Sequence, residues 1–278
     1  MRRCLIILAL LLTGACSDEP PASAADSTRP DASPAASTAG SKANDPDTRV
    51  ILAADPWCPH NCKAGSEREG YMVDIARKIF TDAGYQFEYR NYGWARSLRE
   101  ARNNRIDGVI GALRGDAPDF VFPETPLGSV IITMYTRPDS LWRYQGLASL
   151  AGLTLLTING YSYSPELDNY IRTHSDDSKR VWQLTGAAPL ERALKLLKER
   201  RADVFAEDRS VMNWFIGQHP SLPAPRTAGV AHRAPIHIAF SPDDSRSGEL
   251  GQLLDRGIAR MADNGELENI MAAYGMIW

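Results

Sequence analysis

The apolar positions between residues 70 and 83 recur with the period of a helix. Met72, Ile75, Ile79 and Phe80 follow the i, i+3, i+7 spacing of a helix that buries one face. The apolar, β-branched run before this helix, at 49–54, has the length of a strand, and residues after it alternate as a half-buried strand does. This order of elements predicts an α/β fold with the intervening loop at the mouth of a ligand crevice, although an ordinary βαβ unit would give the same pattern.

The later part of the chain repeats this alternation of strands and helices. A helix, a turn and a strand follow one another around Asp107, and the same order recurs in the stretch that ends at Asp208. This repetition predicts two similar α/β lobes. The other predicted helices cover residues 94–101, 165–174, 189–200, 250–261 and 267–274, and the other predicted strands cover residues 130–135, 153–158 and 234–240.

The N-terminus has the pattern of an export signal. Arg2 and Arg3 precede an apolar run at 5–12, and small residues lead into Cys16. This ending resembles a bacterial lipobox, so we expect residues 1–15 to be a signal peptide and Cys16 to carry lipid; an ordinary signal peptide cut nearby is the alternative. The mature protein would be periplasmic and anchored to a membrane, either the inner or the outer one.

Residues 16–47 are rich in Ala, Ser, Pro and Asp and nearly free of large apolar side chains. Such a segment cannot bury enough surface to offset its ordering entropy, so we expect a disordered linker between the lipid and the folded part.

Two cysteines remain in the predicted folded part, Cys58 and Cys62. In an oxidising compartment a local disulfide is the first interpretation. The alternative is a metal site with sulfur, nitrogen and sulfur ligands from Cys58, His60 and Cys62. The formal net charge of −3 and the lack of a basic cluster argue against nucleic acid as a partner.

Five motifs, in order along residues 49–274, resemble those of a known family. Residues 70–76 match its G-aromatic-x-x-D-hydrophobic-A helix start, and Trp94 followed by residues 104–107 matches its W … G-x-x-D pattern. The other three, at residues 147–152, 201–208 and 264–266, are similar to D-L-x-G, R-x-D-A-x-x-x-D and a D-G-x turn. In these motifs the chain resembles the family 3 extracellular solute-binding proteins, the periplasmic polar-amino-acid binders of ABC importers.

The resemblance implies an α/β, two-lobe periplasmic-binding-protein-like fold of type II, with the lobes joined by two extended strands. Lobe 1 would combine residues 48–128 with 232–278, and lobe 2 would be residues 129–231. The protein would be a monomer that captures a small polar solute, an amino acid or related compound, in the cleft between the lobes and delivers it to an ABC permease. No cofactor and no metal are implied.

Two other functions fit the same fold. One is a ligand-sensing subunit that reports to a membrane protein without transport. The other is a cleft enzyme of the cyclohexadienyl or arogenate dehydratase type, for which Glu207 is the candidate general acid. The sequence has no Ser/His/Asp set, phosphate loop or paired-carboxylate signature, so we expect a binding protein and not an enzyme.

The resemblance also implies the binding residues. Asp208 would receive an α-ammonium group, and Tyr161 and Ser162 would meet the ligand at a helix N-terminus. For this turn the alternative is simple capping of the helix by Ser164. Trp57 and Trp94 would stack on the ligand's side chain.

Arg114 is the candidate for the α-carboxylate clamp, since it precedes the 119–123 segment (DFVFP) at the family's spacing. The alternative is an exposed turn residue, because the loop is several residues short when counted from Asp107.

Overall fold

An eight-stranded sheet runs through the part of the chain that the computed structural model describes, residues 48–186 and 188–278. Its strands are β1 (Arg49–Ala54), β2 (Gln86–Asn91), β3 (Gly108–Ala112), β4 (Gly128–Thr136), β5 (Leu155–Ile158), β6 (Val181–Leu184), β7 (Val204–Asp208) and β8 (Arg226–Phe240). The helices in these residues are α1 (Tyr71–Asp82), α2 (Trp94–Arg102), α3 (Pro165–Thr173), α4 (Pro189–Lys198), α5 (Arg209–Gln218), α6 (Ser247–Asp263) and α7 (Glu266–Ala273). The predicted signal peptide, Cys16 and linker lie outside the described residues.

The strand order, β2-β1-β3-β8-β4-β7-β5-β6, contains two parallel groups. In the first, β1 pairs in parallel with β2 and β3, and in the second, β5 pairs in parallel with β6 and β7. Antiparallel pairs of β8 with β3, of β8 with β4 and of β4 with β7 connect the groups. β8 therefore belongs to both halves of the sheet, since its end at 237–240 pairs with β3 and its earlier part pairs with β4.

The predicted α/β class is confirmed, and the elements lie where the apolar pattern places them. The structure adds β6, α5 and the first half of β8, which the pattern analysis did not predict. α5 lacks a clean apolar stripe. Its N-terminus is fixed by Asp208, whose side chain caps the helix by accepting hydrogen bonds from the N–H groups of Ser210 and Val211. In the described part of the chain, no helix is both long enough and apolar enough to span a bilayer.

The core of the first half is built on α1, whose apolar face is almost completely buried. α6 crosses this helix, and Gly257 of α6 makes the close approach possible. A Cβ on Gly257 would lie 2.5 Å from Cγ2 of Ile79, which is itself buried. A methyl group at this position would therefore overlap the side chain of Ile79.

We predict that Gly257→Ala destabilises the protein by about 1–2 kcal/mol, because overpacking of the α1–α6 contact outweighs the better helix propensity of alanine. The control is Gly248→Ala in the first turn of the same helix, where no described atom lies within 4 Å of the added Cβ. Urea unfolding of both variants checks this. Equal stability of the two variants would contradict the packing argument.

Candidate functional site

The loop between β1 and α1 is closed by a disulfide between Cys58 and Cys62. This confirms the first interpretation of the two cysteines and leaves neither sulfur free as a metal ligand. The loop also caps α1, because the carbonyl oxygens of Pro59 and His60 accept hydrogen bonds from the first N–H groups of the helix, at 3.0 Å each. Gly70 permits this approach, since a Cβ there would lie 2.5 Å from the Cα of Asn61.

His60 forms a fully buried polar connection at the centre of the molecule. Its Nδ1 lies 2.9 Å from the hydroxyl oxygen of Tyr71, and its Nε2 lies 3.1 Å from Oδ1 of Asp208. The disulfide loop is thus joined to α1 on one side and to the end of β7 on the other.

Asp208 is completely buried, and all of its contacts are within the protein. Oδ1 caps α5, and Oδ2 accepts a hydrogen bond from the N–H of Ile131 at 2.7 Å. Burial alone raises the pKa of this carboxyl, but the bonds from His60, Ile131 and Val211 outweigh it and lower the pKa. Asp208, predicted to receive the ligand's ammonium, lies outside the cavity lining, and both of its oxygens are engaged in these capping and core bonds.

A small cavity lies beside this connection and draws its walls from both halves of the sheet. It encloses about 30 Å³, room for only one or two water molecules. The lining residues are Asp55, Trp57, Asn61, Trp94, Ile110, Gly111, Leu113, Asp116, Ile132, Tyr161, Ser162, Tyr163 and Glu207. The structure therefore brings together four of the predicted site residues, Trp57, Trp94, Tyr161 and Ser162.

Two hydrogen bonds cross this cavity from one wall to the other. The indole N–H of Trp57 donates to Oε1 of Glu207 at 3.1 Å, and the hydroxyl of Tyr161 donates to Oδ2 of Asp55 at 2.5 Å. Together with the contact between His60 and Asp208, they hold the β1–α1 loop against the ends of β5 and β7. A solute larger than water can enter only if these walls separate.

Three carboxyl groups line the cavity, and burial raises the pKa of each. The pKa of Glu207 rises from its ordinary value of 4.5 to about 8, that of Asp116 rises to about 7, and that of Asp55 rises to about 6. No lysine, arginine or histidine is among the described lining residues. The site is therefore a desolvated acidic pocket in which Glu207, with the highest pKa of the three, is largely protonated at neutral pH.

Arg114 is placed away from this pocket. The residue is exposed, and its Cζ lies 4.8 Å from the ring centroid of Phe122. Its neighbours Leu113 and Asp116 line the cavity while its own side chain does not. The structure thus matches the alternative prediction, an exposed turn residue.

The turn before α3 is closed by side chains of the protein. Ser164 accepts a hydrogen bond from the N–H of Leu167 and caps the helix, as the alternative prediction states. Asp168 accepts hydrogen bonds from the hydroxyl of Ser162 and from the N–H of Tyr163. These N–H and O–H groups are engaged within the protein, although Ser162 itself borders the cavity.

Nine of the thirteen lining residues were missed as site residues or only partly considered. The carboxylates and the amide among them are Asp55, Asn61, Asp116 and Glu207. Three carboxylates follow or end β1, β3 and β7, and ligands of α/β proteins bind at the carboxyl ends of strands, so their position was an available signal. Asn61 carried no comparable signal. In residues 48–186 and 188–278, no group of three or more His, Cys, Asp or Glu side chains is arranged to hold a metal ion.

A cavity between two α/β halves that share antiparallel strands is typical of proteins that enclose a solute between lobes. Residues 50–276 match the model of the bacterial extracellular solute-binding proteins, family 3. The chain belongs to this family. A search of curated proteins finds no match.

Solved structures with the same fold share little sequence with this chain. An amino acid ABC transporter substrate-binding protein, AbpA, from Streptococcus pneumoniae, bound to L-arginine, is 16% identical, with a TM-score of 0.64, over 82% of this chain and 94% of that one. A histidine kinase sensor domain with similarity to periplasmic binding proteins is 20% identical, with a TM-score of 0.65, over 82% and 97% of the two chains. An ancestral amino acid-binding protein, AncCDT-1, a precursor of cyclohexadienyl dehydratase, is 14% identical, with a TM-score of 0.62, over 82% and 96%. At these identities the likeness shows a shared fold.

We predict that Glu207→Gln changes the pH dependence of stability. The native pKa of Glu207 lies above its unfolded value, so its stabilising contribution is complete below about pH 4.5 and is lost as the pH rises towards 8. Glutamine has no proton to lose. The stability of the variant relative to wild type should therefore increase by about 2–4 kcal/mol between pH 5 and 8.

Urea unfolding of both proteins across this pH range measures the difference. Glu268→Gln, at an exposed position of α7, is the matched control and should follow wild type. A difference between Glu207→Gln and wild type that stays constant with pH would show that Glu207 ionises normally.

Proposed function

We propose that the protein captures a small polar solute bearing an ammonium group, an amino acid or a related compound, in the cavity between its two halves. The observation that carries this proposal is the cavity itself, with aromatic walls at Trp57 and Trp94 and buried acceptors at its base. Membership of a solute-binding family supports it. The arginine bound in the structure of AbpA supports the same proposal.

We also propose that residues 48–128 with 232–278 form one lobe and residues 129–231 form the other. β4 begins at this boundary and β8 crosses it, as two connecting strands would. The bonds from Trp57 to Glu207 and from Tyr161 to Asp55 then join opposite lobes and close the cleft. A solute that replaces them with better contacts stabilises the closed form through this difference.

The proposed periplasmic location indicates which membrane protein would be the partner. A periplasmic protein of this kind would deliver its solute to an ABC permease. The alternative is a sensing role, which the likeness to a histidine kinase sensor domain keeps open. Permease and ATPase genes beside the gene of this protein would favour transport.

A dehydratase activity has one specific observation in its favour. The pKa of Glu207, about 8, leaves the carboxyl protonated at neutral pH, as a general acid requires. The substrates of such enzymes, prephenate and arogenate, carry a net negative charge, unlike neutral or cationic amino acids, and no cationic side chain is among the described lining residues. We therefore propose binding and not catalysis as the role of this cavity.

A thermal-shift screen against amino acids, opines, polyamines and small organic acids tests the binding function. A solute that binds only the folded protein raises its stability by RT ln(1 + [L]/Kd). If no member of any of these classes shifts the melting temperature at millimolar concentration, the proposed function is wrong.

Trp57→Ala should weaken the binding of the solute found in this way by about 10- to 100-fold, since it removes an aromatic wall and a hydrogen bond to Glu207. Trp57→Phe keeps the aromatic surface and should lose less. Trp182→Ala, on β6 and outside the cavity lining, is the control and should bind normally. Calorimetry on the three variants measures the differences, and normal binding by Trp57→Ala would place the solute elsewhere.

We further propose that the mature chain is anchored by lipid on Cys16. Cys16→Ser should move the protein from the membrane fraction to the soluble periplasmic fraction. Cys4→Ser changes a cysteine within the predicted signal peptide and should leave the protein on the membrane. An unmodified N-terminus at another residue, found by mass spectrometry, would rule out the anchor.

A further inference from the structure

The charge of the cavity lining is entirely acidic. Asp55, Asp116 and Glu207 come from three different loops or strand ends and border the same space. No described lining residue carries a positive charge that could pair with them. A buried carboxylate without a partner is costly, so a cationic solute would stabilise the ionised form of this lining.

Two buried oxygen atoms of the lining are also unsatisfied. Oε2 of Glu207 and Oδ1 of Asn61 have no hydrogen-bond partner among the described residues, and both side chains are only 1% exposed. Oδ1 of Asn61 is an acceptor, and Oε2 of Glu207 becomes a free acceptor when this carboxyl ionises, since Oε1 already accepts hydrogen bonds from Trp57 and from the N–H of Asp208. Buried acceptors are normally satisfied, so these two indicate a donor that comes from the solute.

The aromatic walls suit the same class of solute. Trp57 and Trp94 border the cavity next to the acids. The face of an indole ring attracts a cation, and the attraction is larger when the cation is desolvated. The carbon skeleton of an amine would gain apolar contact with the same rings.

A carboxylate on the solute, by contrast, would find no donor of its own in this lining. The guanidinium of Arg114 lies over Phe122, outside the cavity, and that of Arg96 lies over Tyr92, in the wider groove outside. In the turn before α3, the N–H of Tyr163 donates to Asp168, and the N–H of Ser162 interacts with Asp116. A carboxylate placed here would lie among three acids.

We propose that the cavity selects small organic cations that lack a carboxylate, that is, amines, diamines or guanidines, over the corresponding amino acids. This inference rests on the proposed solute-binding function and narrows its ligand class. Glu207 would accept the deepest N–H of the solute, with Asn61 beside it, and the two tryptophans would enclose the carbon chain.

Binding of a cation by this lining has a measurable consequence for protons. Because burial keeps Glu207 largely protonated at pH 7, an incoming ammonium group would displace a proton to the solvent. The charged or titratable groups near Glu207 do not supply a compensating cation at the cavity: they are Asp55, Asp208 with its partner His60, Tyr135, Tyr161 and Tyr163. A neutral or zwitterionic solute bound to the protonated form would release none.

Pairs of compounds that differ only by a carboxylate test the proposal directly. Isothermal titration calorimetry of the mature protein would compare putrescine with ornithine, cadaverine with lysine, agmatine with arginine, and tyramine with tyrosine. For the pair that binds best, we expect the amine to bind at least tenfold more tightly than its amino acid. Titration in buffers of different ionisation enthalpy should show that about one proton is released for each amine bound at pH 7.

Glu207→Gln supplies the second readout. It should weaken amine binding at least tenfold and abolish the proton release, while Glu268→Gln, the same side-chain change at an exposed site, should do neither. Circular dichroism would first confirm that both variants are folded.

The outcomes separate the two proposals. If amino acids bind more tightly than their amines, the preference for cations without a carboxylate is wrong while the solute-binding function stands. If amines bind without proton release, or if Glu207→Gln binds amines as wild type does, the assignment of Glu207 as the acceptor is wrong. If neither these compounds nor any in the wider screen bind, both proposals fail.

Discussion

The buried contact between His60 and Asp208 is the interaction on which the site depends. His60 lies in the disulfide loop and also contacts the hydroxyl of Tyr71, at the start of α1. Asp208 caps α5 and accepts the N–H of Ile131 in β4. One imidazole ring therefore fixes the relative position of a loop, two helices and two strands. Loss of either side chain would leave the other buried without its partner, which costs more than the contact contributes.

The position of the cavity follows from this contact. Trp57 is held three residues before His60, and Glu207 immediately precedes Asp208, so the contact places the indole within hydrogen-bond distance of Glu207. The two adjacent acids then have opposite roles. Asp208 has enough donors around it to stay ionised, whereas Oε2 of Glu207 has none in the described residues and burial raises the pKa of this carboxyl. Asp208 supports the fold, and Glu207 borders the cavity with one oxygen atom unpartnered.

Desolvated acids with raised pKa values are typical of functional sites, and they reduce stability at neutral pH. The cavity holds three such groups near aromatic walls, whereas the exposed acids elsewhere, such as Asp82 and Asp119, have arginine or lysine partners and lowered pKa values. These two surface acids are thus paired, whereas the acids of the cavity have no cationic partner among the described lining residues.

The sequence by itself determined the α/β class, the position of α1 and the disulfide loop, because apolar periodicity and cysteine spacing are local properties of the chain. It also named Trp57, Trp94, Tyr161 and Ser162, which line one cavity in the structure and whose role in binding stays a prediction. It did not determine which of two adjacent acids faces the cavity, nor whether Arg114 reaches it. Those outcomes depend on contacts between residues as far apart as His60 and Asp208, since it is the set of donors brought to each carboxylate that decides which one is satisfied. Only the tertiary structure supplies that set. For the same reason α5, which starts at a cap that is also a core contact, was not visible in the pattern of apolar residues.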